Sequence, residues 1–127
     1  MKKFFIITLL SITSLSIAFA QDVQTANQKK FMQITTVESV TAGGLGRSKL
    51  IVTNPDGSQK DSDMKNLFSV AGINYNNIKA NEEKIVMILK EYSDSGWTLV
   101  QVTPLTLSPN ESGSGIFMTR YLLSNNE

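Results

Sequence analysis

The stretch Ile85-Val86-Met87-Ile88-Leu89-Lys90-Glu91-Tyr92-Ser93-Asp94-Ser95-Gly96-Trp97-Thr98-Leu99-Val100-Gln101-Val102 changes its period partway along. Before Gly96, the apolar residues Ile85, Ile88, Leu89 and Tyr92 fall at i, i+3, i+4 and i+7, which is one face of a helix. After Gly96 the run is aromatic and β-branched, as in a strand. Glycine between the two supplies the left-handed backbone that commonly ends a helix. A helix passing straight into a strand, with further strand-like runs on both sides, points to an α+β domain: a small, mostly antiparallel sheet with one main helix on one face.

Working outward from that stretch, Asn81 reads as the N-cap of a helix over residues 81–95, with Glu82 and Glu83 in a first turn that favours negative charge. Downstream, the strand from Trp97 to Thr103 is expected to close at Pro104, followed by a loop from Leu105 to Gly115. A last strand runs from Ile116 to Leu123, and residues 124–127 form a polar tail. Upstream, Phe31 to Val40 is a first strand, and Thr41-Ala42-Gly43-Gly44-Leu45-Gly46 is a flexible loop. Ser48 to Thr53 is a second strand. Asn54-Pro55-Asp56-Gly57 is a turn signal, with proline presetting one corner and glycine supplying positive φ. Ser58 to Asp61 returns as a short polar arm at an edge. Ser62-Asp63 is expected to cap a short helical segment carrying Met64, Leu67 and Phe68 and ending at Gly72, with Ile73 to Ala80 a structured loop.

The two C-terminal strands carry a further message. Trp97 and Leu99 oppose Val100 and Val102, and Ile116, Met118 and Leu122 oppose Phe117, Tyr121 and Leu123. Strands apolar on both faces are usually central and covered on both sides. One helix covers one side, so the Met64–Ile78 segment or a second subunit is expected over the other.

The helix Ile85-Val86-Met87-Ile88-Leu89, the run Tyr92-Ser93-Asp94-Ser95-Gly96-Trp97-Thr98-Leu99-Val100-Gln101-Val102, and the closing Gly115-Ile116-Phe117-Met118-Thr119-Arg120-Tyr121-Leu122-Leu123 together resemble the domain-of-unknown-function 4177 family, over about residues 49–123. Members are small bacterial α+β domains with a helix running into Gly-Trp-Glu-Leu-Val and a closing strand with a basic residue near its end. Thr98 stands where the family often has Glu. The resemblance implies the same fold and carries no activity, substrate or catalytic residue.

The N-terminus reads as a cleavable secretory signal. Lys2 and Lys3 precede the apolar run Phe4-Phe5-Ile6-Ile7-Thr8-Leu9-Leu10, and Ala18-Phe19-Ala20 gives an A-x-A end, so the cut is expected between Ala20 and Gln21. Thr8, Ser11, Thr13, Ser14 and Ser16 dilute a stretch already shorter than the roughly 20 apolar residues of a spanning helix. Residues 1–20 are thus the signal, 21–30 a polar tether, and 31–123 one domain. The exported form is expected in the periplasm or outside the cell, without a stable membrane anchor after cleavage.

Charge and composition exclude several chemistries. Twelve basic against eleven acidic residues leave a net charge of +1 over 127 residues, and no basic block follows Lys29-Lys30, so nothing favours nucleic acid. With no His and no Cys, Ser-His-Asp and Cys-His catalysis, disulfides and the usual zinc sites are all excluded. No metal or cofactor is expected. Paired carboxylates could serve a glycosidase, but Asp61, Asp63, Glu82, Glu83 and Glu91 read as solvating and dipole-matching groups. Asn54–Gly57 fails as a calcium loop, because the first ligand position would be Val52 and the twelfth Asp63.

The binding candidates are cationic. Gly43-Gly44-Leu45-Gly46-Arg47-Ser48-Lys49 could present amides, Arg47 and Lys49 to an anion, although it lacks phosphate-loop spacing and leads into a strand. Arg120 is a lone charge within an apolar strand; it either reaches solvent along its stem, pairs with an acid such as Glu38, or meets a ligand. Trp97 is expected to be a core anchor. Asn110-Glu111-Ser112 matches the N-glycosylation pattern, which carries no weight behind a bacterial-looking signal. The expectation is a non-enzymatic binding or self-associating module of the cell envelope, with a homodimer or another envelope protein as partner. The alternative is a small carboxylate-dependent hydrolase acting on envelope or extracellular polymers, and a weaker one is a carrier for an apolar ligand held under the Met64–Ile78 segment.

Overall fold

The computed structural model describes residues 28–41, 46–107 and 115–126. The expected signal peptide, most of the expected tether, residues 42–45 of the glycine-rich stretch and the Asn110–Ser112 pattern lie outside the described residues. The elements are β1 (Lys29–Val40), β2 (Ser48–Thr53), β3 (Gln59–Met64), β4 (Phe68–Ser69), β5 (Gly72–Ile73), α1 (Tyr75–Asp94), β6 (Thr98–Leu107) and β7 (Gly115–Asn126). Five strands form one antiparallel sheet in the order β3-β2-β1-β7-β6, and β4 and β5 form a two-residue ribbon. This is the expected α+β architecture.

The alternation along β1 sets the two faces. Met32 and Ile34 join Leu50 and Val52 of β2 and Leu123 of β7 in the core, which α1 closes with Ile85. Ile88, Leu89, Tyr92 and Trp97 pack against that core, as the helical spacing and the strand-entry position of Trp97 predict. The opposite face carries Gln33, Thr35 and Val37 of β1 beside Leu122, Arg120 and Met118 of β7.

Several boundaries differ from expectation. Helix α1 begins six residues early, at Tyr75, where Asn74 is the N-cap and its Oδ1 accepts from the Asn77 amide at 3.1 Å. Asn81 is therefore a mid-helix residue, only 2% exposed. Its Oδ1 accepts from the Lys65 amide at 2.8 Å and its Nδ2 donates to the Lys65 carbonyl at 2.8 Å. Buried polar groups require partners, and one asparagine satisfies both orphaned groups of a passing backbone. An asparagine shaped for capping thus serves as a latch between the helix and the end of β3. The C-terminus follows the glycine signal: Gly96 has φ +87°, and the amides of Gly96 and Trp97 return to the Ser93 and Tyr92 carbonyls, the Schellman arrangement.

The expected helical segment over residues 62–72 is instead the end of β3 and the β4–β5 ribbon, with Gly72 at φ +101° in its turn. Three apolar residues do not supply the long amphipathic face that stabilises a helix in a protein. Nor does this segment cover the second sheet face. Asn66 and Asn77 tie it to Ser48 and to the helix, on the α1 side.

Strand β6 does not stop at Pro104. It runs on to Leu107, and Pro104 lies opposite Thr119. Proline has no N–H to give, so that pair is a non-hydrogen-bonded one and the proline nitrogen points away from β7, as only an edge strand permits. The register also shifts between Leu99 and Gln101, so Val100 is an extra residue and Leu99 and Val102 share the helix-side face, where strict alternation would separate them. Of the two strands that are apolar on both faces, β7 is central as expected, whereas β6 is an edge.

Candidate functional site

The structure gathers the three cationic candidates on one surface. Lys49 pairs with Val37 of β1, and Arg120 pairs with Thr35 of β1 and Thr103 of β6, which places both on the face opposite the helix. Arg47 borders the same face beside Val37 and Ser39. Lys49 is already engaged. Its ammonium lies 2.5 Å from Asp61 and 3.3 Å from Asp63, and these bonds hold the lysine pKa above its usual range and that of Asp61 below the usual carboxylate range. The Asp61–Asp63 alternation is thus a clamp on a cross-strand lysine. Among the described residues, Arg47 and Arg120 make no ion pair or hydrogen bond.

Arg120 does not meet Glu38. Glu38 stands opposite Phe117, on the helix side, while Arg120 projects from the other side. The acid instead accepts from Asn81 Nδ2 at 3.0 Å. Burial pushes the Glu38 pKa up, the Asn81 bond opposes this, and nearby Glu82 adds to the rise. Of the remaining acids, Glu82, Glu83 and Glu91 are exposed on α1, where Glu83, Glu91 and Asp94 border an open depression of about 620 Å³ together with Lys84 and Lys90, and Asp56 accepts from Ser58 in the hairpin turn. Among the described residues no group of three His, Cys, Asp or Glu could hold a metal ion.

The surface that sequence reasoning missed is built on β6. Its ten residues carry no charge, and Leu99, Val100, Val102, Leu105 and Leu107 are all exposed. Five strands about 4.8 Å apart span about 19 Å, whereas a helix with its side chains is about 10–12 Å across. Helix α1 therefore covers one half of its sheet face. Between α1 and β6 an open groove of about 640 Å³ remains, lined by Val86, Leu89, Trp97, Leu99 and Leu123, with Lys90 paired to Asp94 at its rim. Leu99 and Val102 are each 46% exposed. On the opposite face, Leu105, Leu107, Ile116 and Met118 line a second depression of about 240 Å³.

Placing residues 105–115 in a loop hid Leu105 and Leu107 from view. The signal that finds them is the run Thr98-Leu99-Val100-Gln101-Val102-Thr103-Pro104-Leu105-Thr106-Leu107, uncharged throughout, with proline marking an edge position within a strand. No family model, curated protein or solved structure matches the chain. Among the described residues no helix is long and apolar enough to cross a membrane.

Proposed function

We propose that this chain is an exported bacterial binding module of the cell envelope, without catalytic activity, that associates with itself or with another envelope protein through the β6 side of its sheet. One observation carries this reading: β6 keeps an uncharged, apolar set of side chains exposed on both faces while its backbone edge is obstructed. The bulge at Val100 and the missing N–H of Pro104 break the row of outward-facing groups that strand addition requires. The contact is therefore one of side-chain packing, centred on the groove that α1 leaves open, where Leu99 lies with Val86 and Val102 follows on the same sheet face. Export rests on the Lys2–Ala20 pattern, and the resemblance to the domain-of-unknown-function 4177 family agrees with the strand-helix-strand order. The hydrolase alternative is weaker, because Asp61 and Asp63 are engaged by Lys49, and the Glu83–Glu91–Asp94 group lies along one helix surface with Asp94 paired to Lys90.

The test is native mass spectrometry of the Gln21–Glu127 protein isolated from its host's envelope, beside the variants Leu99→Lys and Val102→Lys. A dimer or a defined complex that both substitutions dissociate is the expected result. A monomer, or a complex indifferent to both, overturns the reading.

A further inference from the structure

Arg47 is an exposed guanidinium at one end of the sheet face opposite α1, and its surroundings are specific. Beside it Ser39 Oγ and Thr41 Oγ1 are hydrogen-bonded to each other at 3.0 Å. The backbone of Gly46 closes on this hydroxyl pair so tightly that a Cβ there would stand 2.2 Å from Ser39 Oγ and 2.7 Å from Ser39 Cβ. Only glycine allows that approach, so the chain leading into Arg47 is seated on the hydroxyls. Arg47, Ser39 and Thr41 border a depression of about 430 Å³ whose other walls are Val37, Leu107, Gly115 and Ile116. It continues, through the shared Leu107 and Ile116, into the apolar depression bounded by Leu105 and Met118. Among the described residues no acidic side chain lines either depression.

One end of this surface thus offers a cation without a partner among the described residues and two hydroxyls, and the rest offers aliphatic walls. We propose that it binds a single-chain amphipathic anion: a carboxylate or phosphate head held by Arg47 and the Ser39–Thr41 pair, with an alkyl body lying along Leu107, Ile116 and Met118. The guanidinium fork matches an oxyanion in charge and geometry, the one O–H left free by the Ser39–Thr41 hydrogen bond can donate to it, and the aliphatic strip repays removal of the alkyl chain from water. The site lies on the face away from the α1–β6 groove, so it goes beyond the associating surface and does not depend on it.

The experiment is a titration of the Gln21–Glu127 protein with dodecyl phosphate and with dodecanoate, both below their micelle-forming concentrations, followed by amide NMR shifts and calorimetry. Inorganic phosphate, dodecyl maltoside and anionic phospholipid vesicles are run alongside. The expected result is saturable binding of both anions, with shifts centred on Ser39, Thr41, Arg47, Leu107 and Ile116. Arg47→Gln should weaken it about tenfold, as loss of one charge-assisted contact implies, and Leu107→Asn should weaken it severalfold. Both positions are exposed, and unchanged spectra of the unliganded variants report an intact fold. Inorganic phosphate should be far weaker than dodecyl phosphate. Equal affinity for the neutral maltoside, binding to vesicles without binding of the free anions, shifts centred on the α1–β6 groove, or indifference to Arg47→Gln would each overturn the proposal. Dissociation of a complex by Leu99→Lys tests the associating surface separately, so either idea can fail alone.

Discussion

The two edges of the sheet are defended by different means. Strand β3 presents Lys60, Asp61 and Asp63 among six residues, and charge along an edge repels a neighbouring strand. Strand β6 has no charge in ten residues and relies on its backbone, with an extra residue at Val100 and a proline at position 104. The two edges also differ in attachment. Met64 at the end of β3 is buried in the core, the chain beyond it is latched by Asn81, and Lys84 donates to the Asp63 carbonyl. No residue of β6 is buried. Obstructing a backbone leaves side chains free to be apolar, whereas charging an edge uses the side chains themselves. The β6 edge can therefore stay monomeric with respect to strand addition and still offer an adhesive surface.

The largest expected effect sharpens the difference in attachment. Met64→Ala should cost about 2–4 kcal/mol in a urea or guanidinium melt, the usual range for truncating a buried core side chain. Val102→Ala, at a half-exposed edge position, should cost under about 1 kcal/mol. Equal losses would mean that the two edges are equally built into the core, and the comparison would collapse.

A second test addresses the backbone defence. Pro104→Thr restores an outward N–H and should make the protein associate through its strand edge, read as a rise in light scattering and thioflavin fluorescence at concentrations where the parent stays clear. The matching change on the other edge, Asp61→Thr with Asp63→Thr, should do the same for β3. If Pro104→Thr leaves association unchanged, proline is not what shields β6.

Smaller effects concern the helix-side junction. Glu38 has its pKa raised in the folded protein, so the folded state holds its proton more tightly than the unfolded chain does. Its contribution to stability is full below the unfolded value of 4.5 and is lost as pH rises through the higher folded value. Glu38→Gln, whose Oε1 still accepts from Asn81, should therefore raise the melting temperature at pH 7 and lose that advantage near pH 4. A variant that gains as much at pH 4 would contradict a buried, titrating carboxyl. Smallest of all, Lys49→Met should barely move the denaturation midpoint, because an exposed ion pair is offset by solvation and side-chain entropy, and added salt should shrink the difference further.

The sequence made the C-terminal half legible because strong local signals agree there. The helical spacing from Ile85 to Tyr92, the Gly96 stop and the alternation from Ile116 onward each have one reading. The N-terminal end of α1 was not legible: Asn74 and Asn81 are equally good caps in isolation, and only the Lys65 backbone beside Asn81 distinguishes latch from cap. The β6 surface was obscured for a similar reason. Proline ends a central strand but is tolerated on an edge, and edge status is a property of the finished sheet.

The candidate site divides in the same way. Residue chemistry alone marked Arg47, Lys49 and Arg120 as binding candidates and removed His and Cys chemistry from consideration. Pairing register then put Lys49 and Arg120 on one face, which Arg47 borders, gave Lys49 to Asp61 and Asp63, and separated Arg120 from Glu38 by the thickness of the sheet. What the sequence determined by itself was local: which stretches twist as helix or extend as strand, where glycine must bend the chain, and which functional groups exist at all. What only the tertiary structure decided was adjacency: which strand became an edge, which face α1 left bare, and which charge found a partner. The physical reason is that periodicity and backbone sterics act over a few residues, whereas register and burial are set by the simultaneous packing of segments distant in the chain.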